Sequence, residues 1–386
     1  IDFQEARADS ELEVTIVMGA PNHVALGLIS EVYVHCKDSY EKMSKEEAAE
    51  NPIGSGAYEF VKWDKGNQIV MKKAKGSAVS ANFENLIWRV IPEASTRTAE
   101  LIAGNVDMIT NASPDQVDAI DASNSAKVQK VSGTRRMYVG FHQGEEYAVT
   151  EGGAAIQKAE VRRAIQYAVD VEAICANLLN APCERATGLV NPNNAHPTLK
   201  PYPYNPEIAE YLLDQAGYPR DGNGVRFEIT LEAGQGRYLN DKNVVLAICQ
   251  YLDDIGIKTT CDIMDWSSVY VPKIRKKEAG PMFFLGSGGG TWNPLYDMSD
   301  LATVESGPNY TKWTNEEWFK GWKVINNSMD PYVIRREIDR MLEVFYNEGP
   351  WLLLYFQPDF YGVSNRVKWQ ERRDEEVDIF DASLAN

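Results

Sequence analysis

The 386-residue sequence has no long apolar run and contains little histidine or cysteine. No stretch of 18 or more apolar residues occurs, which argues against a transmembrane helix. The four histidines stand apart, and the five cysteines show no CxxC or CxxH spacing, which argues against a zinc site. The motifs GxSxG, GxxxxGKS/T and HExxH are also missing. We therefore expect no catalytic residue, cofactor or bound metal.

Basic residues are outnumbered by acidic ones, 39 against 56, which leaves a net charge of −17. A surface of that sign repels phosphate backbones, so we expect no nucleic-acid partner. This balance does not exclude a local basic patch, but the sequence shows none: the longest basic cluster, residues 273–277, is followed by Glu278 and is typical of a solvated helix face. With 44% apolar residues the chain is of ordinary globular composition, and its length predicts two or three domains of about 150 residues each.

Two pairs of cysteines lie close together in the sequence, Cys175 with Cys183 and Cys249 with Cys261. The first pair flanks a predicted helix end, and the second joins a predicted helix to the next strand. Two interpretations stay open for both pairs. Each forms a local disulfide, which would indicate an oxidising compartment, or the cysteines are free and buried as small apolar side chains. Cys36 is left over in either case.

Helical and strand periodicities alternate along the chain. Residues 1–18 predict a β-hairpin, and residues 159–179 predict one long amphipathic helix. Strand, helix and strand patterns then follow one another at 225–231, 241–255 and 257–264. This alternation predicts an α/β protein with helices covering a sheet.

Several segments, in this order, resemble the extracellular solute-binding proteins of peptide/nickel-type ABC importers, known as family 5. They are NPIGSGAYEF at 51–60, the strand–helix–strand residues 91–97 and 101–107, VRRAIQYAVD at 161–170, and the YNPE, LL and AGY elements within 204–218.

The resemblance implies a fold class: an α/β, two-lobed periplasmic-binding-protein clamshell of type II, of the large three-subdomain class with mixed sheets. It implies that residues 1–50 are the remnant of an extra subdomain of lobe 1. Residues 51–140 and 356–386 would form lobe 1, and residues 141–355 would form lobe 2. Compared with the family pattern, we expect that about a hundred N-terminal residues are missing from this chain.

The resemblance also implies a function without catalysis. The protein would enclose a peptide or another small polar solute, such as an oligosaccharide, between two lobes and deliver it to the membrane permease of an ABC importer. It would be a periplasmic or extracellular monomer that can be lipid-anchored through residues upstream of Ile1. A glycoside hydrolase on an α/β scaffold is the alternative, and a metal or haem carrier is a third hypothesis.

Ligand-binding residues are expected from the same resemblance. His142 and Gln143 lie beside one lobe crossing and Gln357 beside another, and these residues and the aromatic Trp266 would face the cleft. The alternatives are a solvated loop for His142 and Gln143 and a core position for Trp266. Residues 286–291 match the segment in which peptide binders place an Asp against the ligand's ammonium group, and Gly290 stands in its place. The expected contacts around that segment are Ser287, Gly288, Trp292, Asn293, Tyr296 and Asp297.

Peptide binders also have a basic residue near that Asp, which can pair with the ligand's carboxylate, and Phe284 stands in its place here. Both residues that would pair with the charges of a peptide ligand are therefore replaced. Asp297 or Asn293 can substitute for the missing acid, and Trp292 and Tyr296 can offer stacking faces for a sugar. Because a buried charge without a partner is costly, we expect a weakly charged solute such as a sugar or an amide.

Overall fold

A computed structural model describes residues 3–30, 32–181, 183–288 and 292–385. The chain divides into two compact units. Unit 1 comprises Ile1–Ile29 and Thr134–Pro358, and unit 2 comprises Ser30–Gly133 and Asp359–Asn386. The domain limits that we expect from the family resemblance are not tested by this division and stay a prediction.

The strands of the described residues are β1 (Phe3–Ser10), β2 (Glu13–Met18), β3 (Tyr58–Asp64), β4 (Gln68–Lys73), β5 (Asn85–Arg89), β6 (Met108–Ile109), β7 (Ala126–Phe141), β8 (Phe227–Gln235), β9 (Ile257–Asp265), β10 (Met282–Ser287), β11 (Trp351–Ser364), β12 (Val367–Lys368) and β13 (Ser383–Leu384). The α-helices are α1 (Ala25–Ser30), α2 (Lys37–Tyr40), α3 (Lys45–Glu50), α4 (Ala94–Ile102), α5 (Val117–Ala122), α6 (Glu151–Ala155), α7 (Ala159–Ala168), α8 (Val171–Leu178), α9 (Pro206–Gln215), α10 (Asp241–Asp254), α11 (Val271–Arg275), α12 (Pro294–Ser299), α13 (Glu316–Asn326) and α14 (Pro331–Glu348).

A mixed sheet organises unit 1, in the order β11-β7-β10-β8-β9. Strand β10 runs antiparallel to β7 and parallel to β8, and β8 runs parallel to β9. The pairing of β8 with β9 extends from Phe227 opposite Ile257 to Gln235 opposite Asp265. The carboxyl ends of β8 and β9 therefore meet at one edge of the sheet.

The helices begin and end where local chemistry dictates. The Asn205 side chain accepts a hydrogen bond from the Ile208 N–H at 3.0 Å and Pro206 follows it, so α9 begins there. Helix α14 begins in the same way, with Asp330 before Pro331, and ends at Gly349, whose φ of +55° lies in the left-handed region that glycine adopts readily.

The predicted hairpin at 1–18 is confirmed by the antiparallel pair β1 and β2. The predicted single helix at 159–179 is wrong, because the segment forms two helices, α7 and α8. The extended backbone of Val169 ends α7, and the Asp170 carboxylate accepts from the Ala173 N–H at 2.9 Å and so begins α8.

Both close cysteine pairs are joined in the structure, Cys175 to Cys183 and Cys249 to Cys261, with Cα–Cα distances of 5.8 and 6.4 Å. Each bridge ties a helix of unit 1 to the segment that follows it. Cys36 is exposed and free.

The core of unit 1 is rich in aromatic side chains, among them Trp313, Trp318, Phe345 and Trp351. Phe283 of β10 lies across its β7 neighbour, Gly140. A Cβ atom at Gly140 would lie 2.6 Å from Cε2 of Phe283, so only glycine permits this packing.

Unit 2 contains a three-stranded antiparallel sheet, β3-β4-β5, and the short pair β12-β13, and β6 pairs with residues 362–363 of β11. Across both units, no helix among the described residues is long and apolar enough to cross a membrane.

Candidate functional site

A groove of about 540 Å³ lies in unit 1 at the edge where β8 and β9 end. Crevices beyond the carboxyl ends of strands are the usual ligand sites of open α/β sheets, because the loops there are free to carry polar groups. The residues that shape this groove are three arginines and three aromatic residues: Arg135, Arg237, Arg275, Tyr238, Trp266 and Tyr310.

The turn after β8 brings Arg237 and Tyr238 to the groove. Gly236, with φ +93°, reverses the chain, and one carboxylate oxygen of Asp241 accepts hydrogen bonds from the N–H groups of Gly236, Arg237 and Tyr238 at 2.8 to 3.0 Å. Asp241 is buried, and burial raises its pKa although these hydrogen bonds oppose the shift. Its carboxylate holds the turn in one conformation.

Gln357 stabilises the same turn. Its side-chain oxygen accepts a hydrogen bond from the Leu239 N–H at 3.0 Å, and the residue is almost fully buried in β11. The sequence singled out Gln357 as a ligand contact. In this structure it positions the loop that carries Arg237 and Tyr238, and a direct ligand contact stays a prediction.

Tyr238 and Trp266 form an aromatic wall, with ring centroids 5.2 Å apart in an edge-to-face arrangement. Trp266 opens the π-helical turn that follows β9. A Cβ atom at Gly234 would lie 2.7 Å from the Trp266 ring, so this glycine lets the indole pack on β8. The Tyr238 hydroxyl accepts a hydrogen bond from the Gly286 N–H at 2.9 Å, which fixes the other ring.

The guanidinium groups of Arg135 and Arg237 lie 5.9 and 5.4 Å from the centroid of the Tyr238 ring, within range of cation–π attraction. Arg275 ends α11 and is exposed. Burial raises the pKa of the Tyr310 hydroxyl, and the negative charge of Asp300 adds to this, whereas the positive charge of Arg275 opposes it. Both residues line the groove.

A buried ion pair lies on the opposite face of β7 from Arg135. Arg136 is 1% exposed and donates to Asp297 at 3.1 Å and to Ser287 at 2.8 Å. Burial raises the pKa of Asp297, and Arg136 opposes that shift. Asp300 is also close, and burial raises its pKa to about 7 against the attraction of Arg136. Asp297 and Ser287, both expected ligand contacts, are thus brought together around an arginine.

The other expected contacts are spread over unit 1. His142 is fully buried, its ring lies 3.1 Å from both the Lys277 carbonyl and the Gly144 N–H, and burial lowers its pKa. The Gln143 N–H donates to the Thr311 carbonyl at 2.7 Å. Gly288 packs on the backbone of Arg135. Ligand contacts of these three residues stay predictions.

Helix α12 and the residues just before it carry three of the four remaining expected contacts, and ligand contacts of these three stay predictions. Asn293 caps this helix through the Leu295 N–H and donates to the His23 carbonyl at 3.1 Å. Trp292 is 46% exposed, and Tyr296 is half-buried. Gly290 lies outside the described residues.

Of the expected contacts that the structure describes, only Trp266 lines the groove. Sequence reasoning missed Arg135, Arg237, Arg275 and Tyr310, which lie on four separate elements. These residues are far apart in sequence, so no local pattern brings them together. Adjacent side chains of a strand point to opposite faces of the sheet, as those of Arg135 and Arg136 do. This alternation was the one signal in the sequence that could have placed an arginine on the face of the groove.

Two further cavities differ from the groove in the residues that line them. One of about 810 Å³ in unit 1 is lined mainly by residues of 20–28 and 299–326, and one of about 280 Å³ lies in unit 2 beside β5 and β6. Among the residues that the structure describes, no three His, Cys, Asp or Glu side chains are placed to hold a metal ion.

Comparison with known proteins shows the family to which the chain belongs. The family model of bacterial extracellular solute-binding proteins, family 5 (middle region), matches residues 1–308. The chain belongs to this family. The family 5 protein is 22% identical over 338 residues to the oligopeptide-binding protein AppA of Bacillus subtilis (84% of this chain, 60% of AppA). It is 25% identical over 324 residues to the glutathione-binding protein GsiB of Shigella flexneri (81% of this chain, 60% of GsiB).

The fold is shared with the periplasmic binding protein DppA of Helicobacter pylori, solved in complex with the peptide STSA. The TM-score is 0.84 at 19% identity, over 99% of this chain and 74% of DppA. The predicted fold class, a mixed α/β periplasmic binding protein, is confirmed. This chain spans about 60% of the length of the curated relatives that it matches.

Proposed function

We propose that this protein is the solute-binding component of an ABC importer and delivers a peptide or another small polar solute to a membrane permease outside the cytoplasm. The observation that carries the proposal is the groove at the ends of β8 and β9, in a chain of the family 5 solute-binding proteins. Three cationic and three aromatic side chains converge there from separate elements, which is the composition of a recognition site for small molecules.

The arrangement favours binding over catalysis. A glycoside hydrolase needs two carboxyl groups facing one bond, about 5–9 Å apart. The described residues that line the groove include arginines and aromatic residues but no Asp or Glu. We therefore do not propose the glycosidase alternative. As a solute carrier the protein acts as a monomer, with the permease as its macromolecular partner.

Native mass spectrometry of the purified protein, followed by thermal-shift titration with di- and tripeptides and with oligosaccharides, tests the proposal. We expect a retained small molecule, or a raised melting temperature with at least one class of solute, because a ligand that binds only the folded state stabilises it. A protein that neither retains nor responds to any solute, or one that converts a solute to product, would contradict the proposal.

A further inference from the structure

We propose that His142 is a pH-sensitive switch in unit 1: its neutral ring ties the end of β7 to the segment between α11 and β10, and uptake of a proton from solvent opens this tie. The segment, residues 276–281, directly follows a helix that lines the groove. Opening therefore makes one side of the groove mobile at acidic pH. The switch does not depend on the identity of the solute or on the proposed function.

Two backbone groups hold the ring of His142 in one tautomer. The ring is fully buried and directly follows the last residue of β7. Its Nδ1 accepts a hydrogen bond from the Gly144 N–H at 3.1 Å, and its Nε2 lies 3.1 Å from the Lys277 carbonyl oxygen. A carbonyl oxygen can only accept, so Nε2 carries the proton and Nδ1 carries none. Only the neutral ring satisfies both partners.

A second proton on the ring has to bind Nδ1. It would then face the Gly144 N–H, one donor against another. The charged ring would also be buried, and burial lowers the pKa of His142. Proton uptake therefore requires the ring to leave its site, which breaks its hydrogen bonds to Gly144 and Lys277.

Charged side chains from three segments face the ring of His142. Glu146, on the same loop, lies 3.9 Å from Nε2 and favours the charged ring, but it is already paired with Lys312. The positive charges of Lys312 and Lys277 oppose a charged ring. The hydrogen bond from Lys312 lowers the pKa of Glu146, so this carboxylate stays ionised over the pH range in which a histidine titrates.

Tyr147 covers the ring from the same loop. Its ring centroid lies 4.5 Å from that of His142, and its hydroxyl donates to the Glu278 carbonyl at 2.6 Å. Burial raises the pKa of Tyr147 to about 12, and the negative charges of Glu232 on β8 and of Glu278 add to the shift. Tyr147 is therefore uncharged over the same pH range, and His142 is the group of this cluster that titrates there.

The backbone segments that this loop holds are strained. Lys277 has a φ of +58° and Lys312 a φ of +52°, in the left-handed region that a residue with a Cβ atom adopts only at a cost. The ring of His142 binds the Lys277 carbonyl, and the Gln143 N–H donates to the Thr311 carbonyl at 2.7 Å. Loss of these contacts removes part of what offsets the strain, so both segments can relax when the switch opens.

Both segments lie next to residues of the groove. Arg275 is two residues before Lys277, and Tyr310 is the residue before Thr311. Arg275 and Tyr310 both line the groove. A conformational change at the contacts of His142 therefore reaches the groove through one or two residues of chain.

The direction of the pH dependence follows from the two forms of the ring. A released histidine takes up a proton below its ordinary pKa of about 6.5. The closed ring resists the proton, because burial lowers its pKa. The closed form is thus fully favoured above about pH 6.5, and the equilibrium constant for opening should rise by up to about tenfold from about pH 7.5 to about pH 5.5.

Hydrogen–deuterium exchange of the full chain at these two pH values, corrected for the intrinsic exchange rates, measures the opening. We expect peptides that cover residues 142–150 and 272–281 to lose protection by up to about tenfold at the lower pH, and peptides of α10 to keep theirs. In His142→Asn the side-chain oxygen can still accept from the Gly144 N–H and does not titrate, so protection should no longer depend on pH. His35→Asn is the matched control, because His35 is exposed and lies in unit 2, and it should keep the wild-type behaviour.

Nitrogen NMR of the histidine rings in the wild-type protein gives a second measurement that needs no variant to fold. We expect the Nδ1 of His142 to be unprotonated at pH 7.5 and to stay so below pH 6.5. A His142 ring that is charged at neutral pH would overturn the switch. So would wild-type protection at 142–150 and 272–281 that changes with pH no more than it does in His142→Asn. Neither result bears on whether the protein binds a solute.

Discussion

The ion pair between Arg136 and Asp297 offers a quantitative test of how unit 1 is stabilised. Both side chains are at most 2% exposed, and their charged atoms lie 3.1 Å apart. At an effective dielectric constant of about 20, two unit charges at this distance attract by about 5 kcal/mol. Desolvation offsets most of that gain, but removal of one partner leaves the other charge buried and costs about 3–5 kcal/mol.

Asp297→Asn should therefore lower the free energy of unfolding by about 3 kcal/mol, at the lower end of that range, because Asp300 still faces Arg136. Urea unfolding followed by tryptophan fluorescence measures the loss, since six of the nine tryptophans lie in unit 1. Asp339→Asn is the matched control. Its partner is Arg335, which is 42% exposed, and a surface pair of this kind contributes at most about 1 kcal/mol.

The double variant Arg136→Met with Asp297→Leu removes both charges at once and should recover most of the stability, because neither is then left without a partner. If Asp297→Asn loses no more than Asp339→Asn, the buried pair does not stabilise unit 1. The Asp297 carboxylate would then be better explained as a ligand contact, as the sequence first indicated.

Three further predictions concern stability. Burial raises the pKa of Asp300 from 3.8 to about 7; Arg136 opposes this shift and Asp297 reinforces it. Tyr138 and Tyr310 also face the carboxyl group. The folded state therefore holds the proton of Asp300 more tightly than the unfolded chain does. Asp300 should therefore lower stability by at most about 4 kcal/mol as the pH rises from about 4 to 7. Asp300→Asn should reduce the slope seen in thermal melts and leave the part that comes from Asp241 and Asp297, whose pKa values are also raised; an unchanged slope would contradict the assignment. The double variant Cys249→Ser with Cys261→Ser opens a loop with a sequence separation of 12 and should lower the free energy of unfolding in urea by about 3 kcal/mol. Cys36→Ser, at the exposed free cysteine, should leave it unchanged, and alkylation of Cys249 without prior reduction would refute the bridge. Gly140→Ala should cost about 1–3 kcal/mol because its Cβ meets the Phe283 ring, whereas Gly222→Ala, with no atom within 4 Å, should be nearly neutral; equal melting temperatures of the two variants would argue against the packing at Gly140.

Local patterns were sufficient for most elements of the fold. The cap at Asn205 with Pro206 marks α9, and alternation marks β1 and β2, because these signals act between residues a few positions apart. The break between α7 and α8 was missed. The apolar period continues across it, while the Asp170 side chain competes locally for a backbone N–H.

The candidate site was much less accessible to sequence reasoning. The choice of Trp266 came from a family resemblance, and Gln357 was expected to touch ligand rather than to hold the turn at Leu239. The charge of the ligand was inferred from two replaced positions, Gly290 and Phe284, whereas the arginines of the groove come from elsewhere in the chain.

Taken alone, the sequence determined the α/β class, the order of its elements, the family and the absence of familiar catalytic motifs, since each depends on short spacings. Only the tertiary structure decided what each face of β7 meets, so that Arg135 lines the groove and Arg136 is paired with Asp297. Strand pairing brings β7, β8, β9 and β10 side by side although they are distant in the chain. The groove exists only because of that pairing, since spacing along the chain carries no information about which strand ends meet in space.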